Sequence, residues 1–203
     1  MQEFDVSSAV VVHVALDKRR TNPCDMADDQ WQLYSFNRRH VRFKHPSDFE
    51  KKALRLKLDA GLAFWLGYYE HGLCRWTLEG EQPADFWDST YFAGLLIWEK
   101  DEAYLGPKDY EGREADARRF LKQYTAWCNG EVYEFHTSDE VDKYSGWHGP
   151  LYGVDDLTAA VDEELNGRPY FLCGEAAQYV DRRKIRAPEA RDRRRGERRK
   201  SSR

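Results

Sequence analysis

Apolar and polar positions alternate most regularly in the middle of the chain, where turn-forming residues separate aromatic side chains. Two apolar runs, 62–70 and 73–78, are separated by His71-Gly72. This arrangement predicts a β-hairpin, because Gly readily adopts the positive φ that tight hairpin turns require. A third apolar run at 91–98 predicts a buried strand, since it is short and continuous.

Helical periodicity appears at 112–128 and at 155–165, where apolar residues recur every three or four positions and each run ends at an Asn-Gly pair. These stretches predict helices, because Asn and Gly are typical of helix ends. A third helix is predicted near 48–60, since Ser47 and Glu50 have the spacing of a capping box. Its apolar face would consist of Phe49, Ala53, Leu56 and Ala60.

Further strands are predicted outside the middle of the chain. A β-branched run at 9–16 and an apolar, aromatic run at 131–137 favour strands. Weaker patterns at 31–36, 145–149 and 169–172 also favour strands, or turns beside them.

The elements together predict an α+β fold with a mainly antiparallel sheet and two or three packed helices, because strands joined by short turns pair antiparallel. The main strands of this sheet would be 9–16, 62–70, 73–78, 91–98 and 131–137. We expect a single acidic domain at 1–181, with an organised core at 61–167 and an N-terminal extension at 1–60.

Charge is distributed unevenly along the chain. The full sequence has a net charge of -4, but residues 182–203 carry twelve Lys and Arg against three Asp and Glu. Residues 1–181 therefore have a net charge of -13. The tail at 182–203 has few apolar residues to bury, and we expect it to be disordered. The acidic body disfavours direct binding of DNA, because phosphate contacts need cations.

Cofactor and membrane motifs are absent from the sequence. It has no Cys-x-x-Cys pair, Walker loop, Gly-x-Gly-x-x-Gly, Gly-x-Ser-x-Gly or His-Glu-x-x-His, and no apolar stretch long enough to cross a bilayer. We therefore expect no cofactor, no metal and no membrane contact. Four widely spaced cysteines indicate a reducing compartment, the cytosol, with the thiols mostly buried.

Candidate catalytic residues are few. His71 is expected at the hairpin tip, and Asp88 follows Trp87 at the entrance of a predicted strand. His136 and His148 lie on segments that we expect to be neighbours, but no spacing matches a standard zinc motif. His71, Asp88 and His148 are thus the candidates for a hydrolase or nucleotide-binding site, although Asp and His are also ordinary surface residues in turns.

A set of short motifs carries a family resemblance over roughly residues 62–165. The motifs are His71-Gly72, Trp87-Asp88-Ser89 with Gly94, Gln123-Tyr124, Gly130-Glu131-Val132-Tyr133 and Gly146-Trp147-His148-Gly149. In this order they resemble an uncharacterised family of small proteins carried by bacteriophages, plasmids and other mobile elements. The resemblance implies a genomic setting in a bacterial host, and it implies no catalytic residue.

A binding function is favoured over an enzyme, because acidic clusters recur along the organised half and Trp and Tyr are typical of interface cores. The expected partner is a host nucleic-acid-binding or defence protein, such as a nuclease, whose cationic site the carboxylates would occupy. Candidate partner-binding residues are Asp155, Asp156, Asp162, Glu163, Trp87 and Trp147.

Two alternatives remain beside this expectation. The first is the enzyme described above. The second is a nucleic-acid-associated protein that acts through its basic tail, since clustered Lys and Arg bind phosphates without sequence preference. The tail residues expected to do so are Arg193, Arg194, Arg195, Arg198, Arg199 and Lys200. An acidic surface that only keeps the protein soluble fits the same composition.

Overall fold

The structure, a computed structural model, describes residues 9–26, 31–84, 87–100, 109–137, 148–166 and 168–180. The chain divides into two compact units. The inserted unit is Thr21–Gly130, and the discontinuous unit combines Met1–Arg20 with Glu131–Arg203. The core expected at 61–167 extends across Gly130 and therefore includes parts of both units.

The described residues include eight strands and three α-helices of nine residues or more. The strands are β1 (Val10–Leu16), β2 (Trp31–Ser35), β3 (Ala63–His71), β4 (Leu73–Leu78), β5 (Ser89–Trp98), β6 (Val132–Thr137), β7 (His148–Tyr152) and β8 (Tyr170–Cys173). The helices are α1 (Lys51–Asp59), α2 (Tyr110–Cys128) and α3 (Gly153–Leu165).

The discontinuous unit contains a four-stranded sheet in the order β7-β6-β1-β8. β1 pairs antiparallel with β6 and parallel with β8. Alternate residues of β1 are buried, because the pleat directs them to one face of the sheet. On this face they pack with the apolar residues of α3, namely Leu157, Val161 and Leu165.

The inserted unit contains a second four-stranded sheet, in the order β2-β5-β3-β4, in which every pairing is antiparallel. Helix α2 packs on one face, where Leu121 and Tyr124 join Leu96 in the core. Leu54 and Leu58 of α1 pack on the other face, against Leu95. Helices on both faces explain the continuous apolar run at 93–98 of β5, since both sets of alternating side chains are buried there.

The predicted α+β fold with mainly antiparallel sheets is confirmed, and strands are present at each of the five main positions. The expectation that these strands share one sheet is wrong. β1 and β6 belong to the sheet of the discontinuous unit, and the hairpin and β5 belong to the other. Alternation identifies the buried face of a strand but not its partner, so the sequence pattern did not separate the two sheets.

The start and buried face of α1 differ from the prediction. Ser47 lies in a short 3₁₀ turn, and α1 is capped instead by Glu50, whose carboxylate accepts from the backbone N–H groups of Lys52 and Ala53 at 3.0 and 2.6 Å. Leu56, predicted to be buried, is 63% exposed. The side of α1 that packs on the sheet carries Leu54 and Leu58, which are four residues apart and share one face.

The predicted tail at 182–203 lies outside the described residues. Within the ranges that are described, no helix combines the length and the apolar character needed to cross a membrane.

Two leucines of α1 provide a test of this arrangement. Leu58→Ala should lower the free energy of unfolding by about 1–3 kcal/mol, because it removes packed apolar surface. Leu56→Ala makes the same chemical change on the same helix, but at an exposed side chain, and should cost less than about 0.5 kcal/mol. Urea unfolding of both variants measures the difference. Equal losses would contradict the assigned face of α1.

Candidate functional site

His71 and Asp88, two of the three candidate catalytic residues, are in contact. The Nδ1 atom of His71 lies 2.7 Å from Oδ2 of Asp88. The β3–β4 turn at Gly72, with φ of +77°, places His71 at the end of β3. The backbone N–H of Glu70 donates to the carbonyl of Asp88 at 2.9 Å and holds the two segments together. The pair is formed by the sheet rather than by adjacent sequence.

The His71–Asp88 pair resembles the base and its orienting carboxylate in a catalytic triad. The neighbouring hydroxyl of Ser89, however, donates to the carbonyl of Pro83 at 2.5 Å. Its proton is therefore not directed toward His71. The side chain of His71 is 75% exposed, against 29% for Asp88. As built, the pair can orient an imidazole and transfer a proton at the surface, and it has no activated hydroxyl beside it among the described residues.

His148, the third candidate, lies on β7 in the discontinuous unit, whereas His71 and Asp88 lie in the inserted unit. Its ring stacks on Phe135, with ring centroids 5.0 Å apart. The three predicted residues therefore belong to two different units.

A row of histidines crosses the sheet of the discontinuous unit. His13 pairs with His136 across β1 and β6, with ring centroids 4.6 Å apart, and the thiol of Cys173 lies 3.1 Å from Nδ1 of His13. Burial lowers the pKa of His136, and the nearby His13 and His148 lower it further. Among the described residues, no group of three or more His, Cys, Asp or Glu side chains could hold a metal ion.

The predicted acidic residues lie on α3, in the discontinuous unit. Asp155 and Asp156 occupy its first turn, where carboxylates stabilise the helix dipole. Asp162 and Glu163 are exposed two turns later. The carboxylate of Asp162 accepts a hydrogen bond from the hydroxyl of Tyr170 at 2.9 Å. The buried residues of α3 lie on the opposite side, so the helix displays these four carboxylates together.

The structure describes one of the remaining predicted residues. Trp87 is 88% exposed, as a partner-binding aromatic residue would be. Trp147 lies outside the described residues, and so do the tail residues Arg193, Arg194, Arg195, Arg198, Arg199 and Lys200.

The cysteines of the described residues are free thiols, and only Cys24 is fully buried. The side chain of Asn129 accepts from the N–H of Cys74 at 2.9 Å and donates to its carbonyl at 3.0 Å. This contact places Cys128, the residue before Asn129, beside Cys74. The hydrogen bond between the two thiols, together with burial, raises the pKa of Cys128, which favours the unreactive thiol form.

Sequence reasoning missed a cleft of about 520 Å³ in the inserted unit. Its lining includes Phe36, Arg39, His40, Tyr68, Glu70 and Phe92. These residues come from the loop after β2 and from two strands, and no short motif connects them. The available signal was the high content of Trp, Tyr and Phe in the whole sequence, which we interpreted as core and sheet packing.

Comparisons with protein-family models, with curated proteins and with solved structures gave no match for this chain. The resemblance to proteins of mobile elements therefore stays a prediction.

The histidine row generates a prediction about pH. His136 should titrate below the ordinary histidine pKa of about 6.5. Its lowered pKa means that the folded state takes up this proton less readily than the unfolded state. The stability linked to His136 should therefore be fully present above about pH 6.5, and it should be lost as the pH falls toward the folded-state pKa.

NMR titration of the imidazole C–H resonances measures this pKa directly. His148→Gln should raise the pKa of His136 only part of the way, because burial is the largest cause of the shift. A titration midpoint at or above the ordinary value in the unmodified protein would contradict the packing described for His136.

Proposed function

We propose that the protein binds a cationic partner protein, such as a nucleic-acid-binding factor or a defence nuclease of its host, through the acidic face of α3. The observation that carries this proposal is the composition of the helix. α3 contains five Asp and Glu and no Lys or Arg in thirteen residues. Such a helix presents one sign of charge to any partner that approaches it.

The spacing of the carboxylates supports the proposal. Asp155 and Asp162 are seven residues apart, and so are Asp156 and Glu163, which places each pair on one side of the helix about 10 Å apart. The buried side of α3, with Leu157 at its centre, fixes the helix on its sheet. The carboxylates are therefore held on a rigid element. They would occupy the positions at which the partner otherwise binds nucleic-acid phosphates.

The biological setting of this proposal follows from the family resemblance. A protein carried by a bacteriophage or plasmid would act in the cytoplasm of the bacterial host, and occupation of a nuclease's nucleic-acid site would inhibit host defence. Weak binding of nucleic acid through the tail residues is compatible with this role, because the tail and the acidic body carry opposite charges.

A hydrolase or nucleotide-binding enzyme is the second candidate function. The contact that favours it is the 2.7 Å hydrogen bond between His71 and Asp88. We place it second because the hydroxyl of Ser89 is directed to a backbone carbonyl.

Charge reversal on α3 tests the proposal. Asp162→Lys with Glu163→Lys should slow association with the partner captured from a host lysate by about tenfold or more, since charge complementarity acts mainly on the association rate. Folding should be retained, because cations near a helix C-terminus suit the helix dipole. Surface plasmon resonance at low and high salt measures the rates, and binding of the unmodified protein should weaken as salt rises.

The matched control is Glu111→Lys with Glu175→Lys, which changes the net charge equally at two exposed positions outside α3. It should leave the association rate within about threefold of the original. Free DNA should compete for the partner. Loss of the cellular effect in His71→Ala and Asp88→Asn, with no effect of the α3 reversal, would exclude the acidic-face proposal in favour of the enzyme.

A further inference from the structure

The cleft of the inserted unit is lined in part by an irregular stretch of β5, which contributes Thr90, Phe92 and Ala93. Leu66 of β3 pairs with Gly94, but Tyr68 pairs with Thr90, so three residues of β5 lie opposite Gly67 alone. This bulge gives Phe92 a φ of +49°, in the left-handed region that bulky side chains rarely occupy. Bulges and left-handed backbone of this kind are frequent at ligand sites. They persist only where the surrounding structure holds them in place.

Two polar side chains hold the bulge. The carboxylate of Glu79 accepts from the backbone N–H of Phe92 at 2.7 Å. Gln82, which is only 6% exposed, donates to the same carboxylate at 3.3 Å and lies against Gly67. A Cβ atom on Gly67 would lie 2.0 Å from the side-chain oxygen of Gln82, so any other residue there would displace the Gln82 amide. The unusual backbone of Phe92 is thus fixed before any ligand arrives.

Aromatic rings form much of the cleft lining. The ring of Trp76 lies 4.7 Å from that of Tyr68 and 5.3 Å from that of His40. The Nδ1 atom of His40 accepts from the backbone N–H of Arg42 at 3.2 Å, and burial lowers the pKa of His40, with a further contribution from the charge of Arg42. His40 is therefore a neutral, oriented ring. Such surfaces bind planar groups by stacking.

The cleft also contains one cation and one anion. Arg39 is exposed, and its guanidinium forms no ion pair with the described residues, so it is available to an anionic ligand. Glu70 accepts a hydrogen bond from the hydroxyl of Tyr68 at 2.9 Å on one oxygen. Its other oxygen has no hydrogen-bond partner among the described residues and can accept from a ligand N–H group.

We propose that this cleft binds a nucleotide, with the base against the aromatic lining, an exocyclic amino group donating to Glu70 and the phosphate on Arg39. Stacking suits any base, Arg recognises phosphate, and a carboxylate accepts from an amino group such as that of cytosine. The volume of about 520 Å³ is that of a small-ligand pocket. The nucleotide is either free or part of a single strand. The proposal concerns the inserted unit and does not depend on α3.

Calorimetric titration with CMP and UMP tests this proposal, because the two ligands differ at the amino group that Glu70 would recognise. CMP should bind with a Kd of about 1 mM or tighter, and UMP about tenfold or more weakly. Glu70→Gln should bring the two affinities within about threefold, since the amide can rotate to donate to the carbonyl of uracil. Arg39→Ala should weaken CMP about tenfold or more and leave cytidine binding unchanged.

The matched controls are Arg55→Ala and Glu111→Gln, which make the same kinds of change at exposed helix positions outside the cleft lining. Both should bind CMP as the unmodified protein does. A parallel titration with a short cytosine oligonucleotide identifies the source of the nucleotide, since tighter binding of the oligonucleotide indicates a single strand. Absence of binding in both titrations, or equal CMP affinity of Arg39→Ala and Arg55→Ala, would overturn the proposal.

Discussion

The pairing of β1 with β6 is the constraint on which the discontinuous unit depends. Leu16 pairs with Tyr133 and His13 with His136, and the entire inserted unit lies between these positions in the sequence. Closing so long a loop costs only slightly more free energy than closing a shorter one, because the entropy depends on the logarithm of loop length. The cost falls on the folding rate instead, since β1 remains without its antiparallel partner until β6 is present.

The acidic surface of α3 also depends on the pairing of β1 with β6. α3 has a buried face only because the β1–β6 ladder presents Val12, Val14 and Phe135 to it. A substitution that weakened the β1–β6 ladder would release α3 and its carboxylates, although these carboxylates lie outside both strands in the sequence. The cleft has a different basis, because Phe92 of its lining is held by the hydrogen bonds of Glu79 and Gln82 within the inserted unit. Separate sets of contacts therefore hold the acidic face of α3 and the cleft in place.

Sequence patterns predicted the elements well and their assembly poorly. Apolar runs bounded by turn-forming residues located β3, β4 and β5, because a strand with two buried faces must be apolar throughout. These runs did not separate the two sheets, since pairing partners leave no local signal. The contact between His71 and Asp88 also left no local signal. Each residue was a candidate by itself, and the register of β3 on β5 brings them together. The cleft was missed because the bulge at Phe92 depends on Glu79 and Gln82, whose roles no motif records.

The chain passes between the units near residues 20 and 130, and both positions are close in sequence to the β1–β6 ladder. The N–H of Asp17 donates to the carbonyl of Val132 at 2.9 Å, a few residues from both passages. Chain ends held near each other are the arrangement in which one domain is readily inserted into another. Recombination at residues 20 and 130 would therefore exchange the cleft as a cassette while leaving the register of β1 on β6 intact. Such an exchange would change the cleft and leave the acidic helix in place.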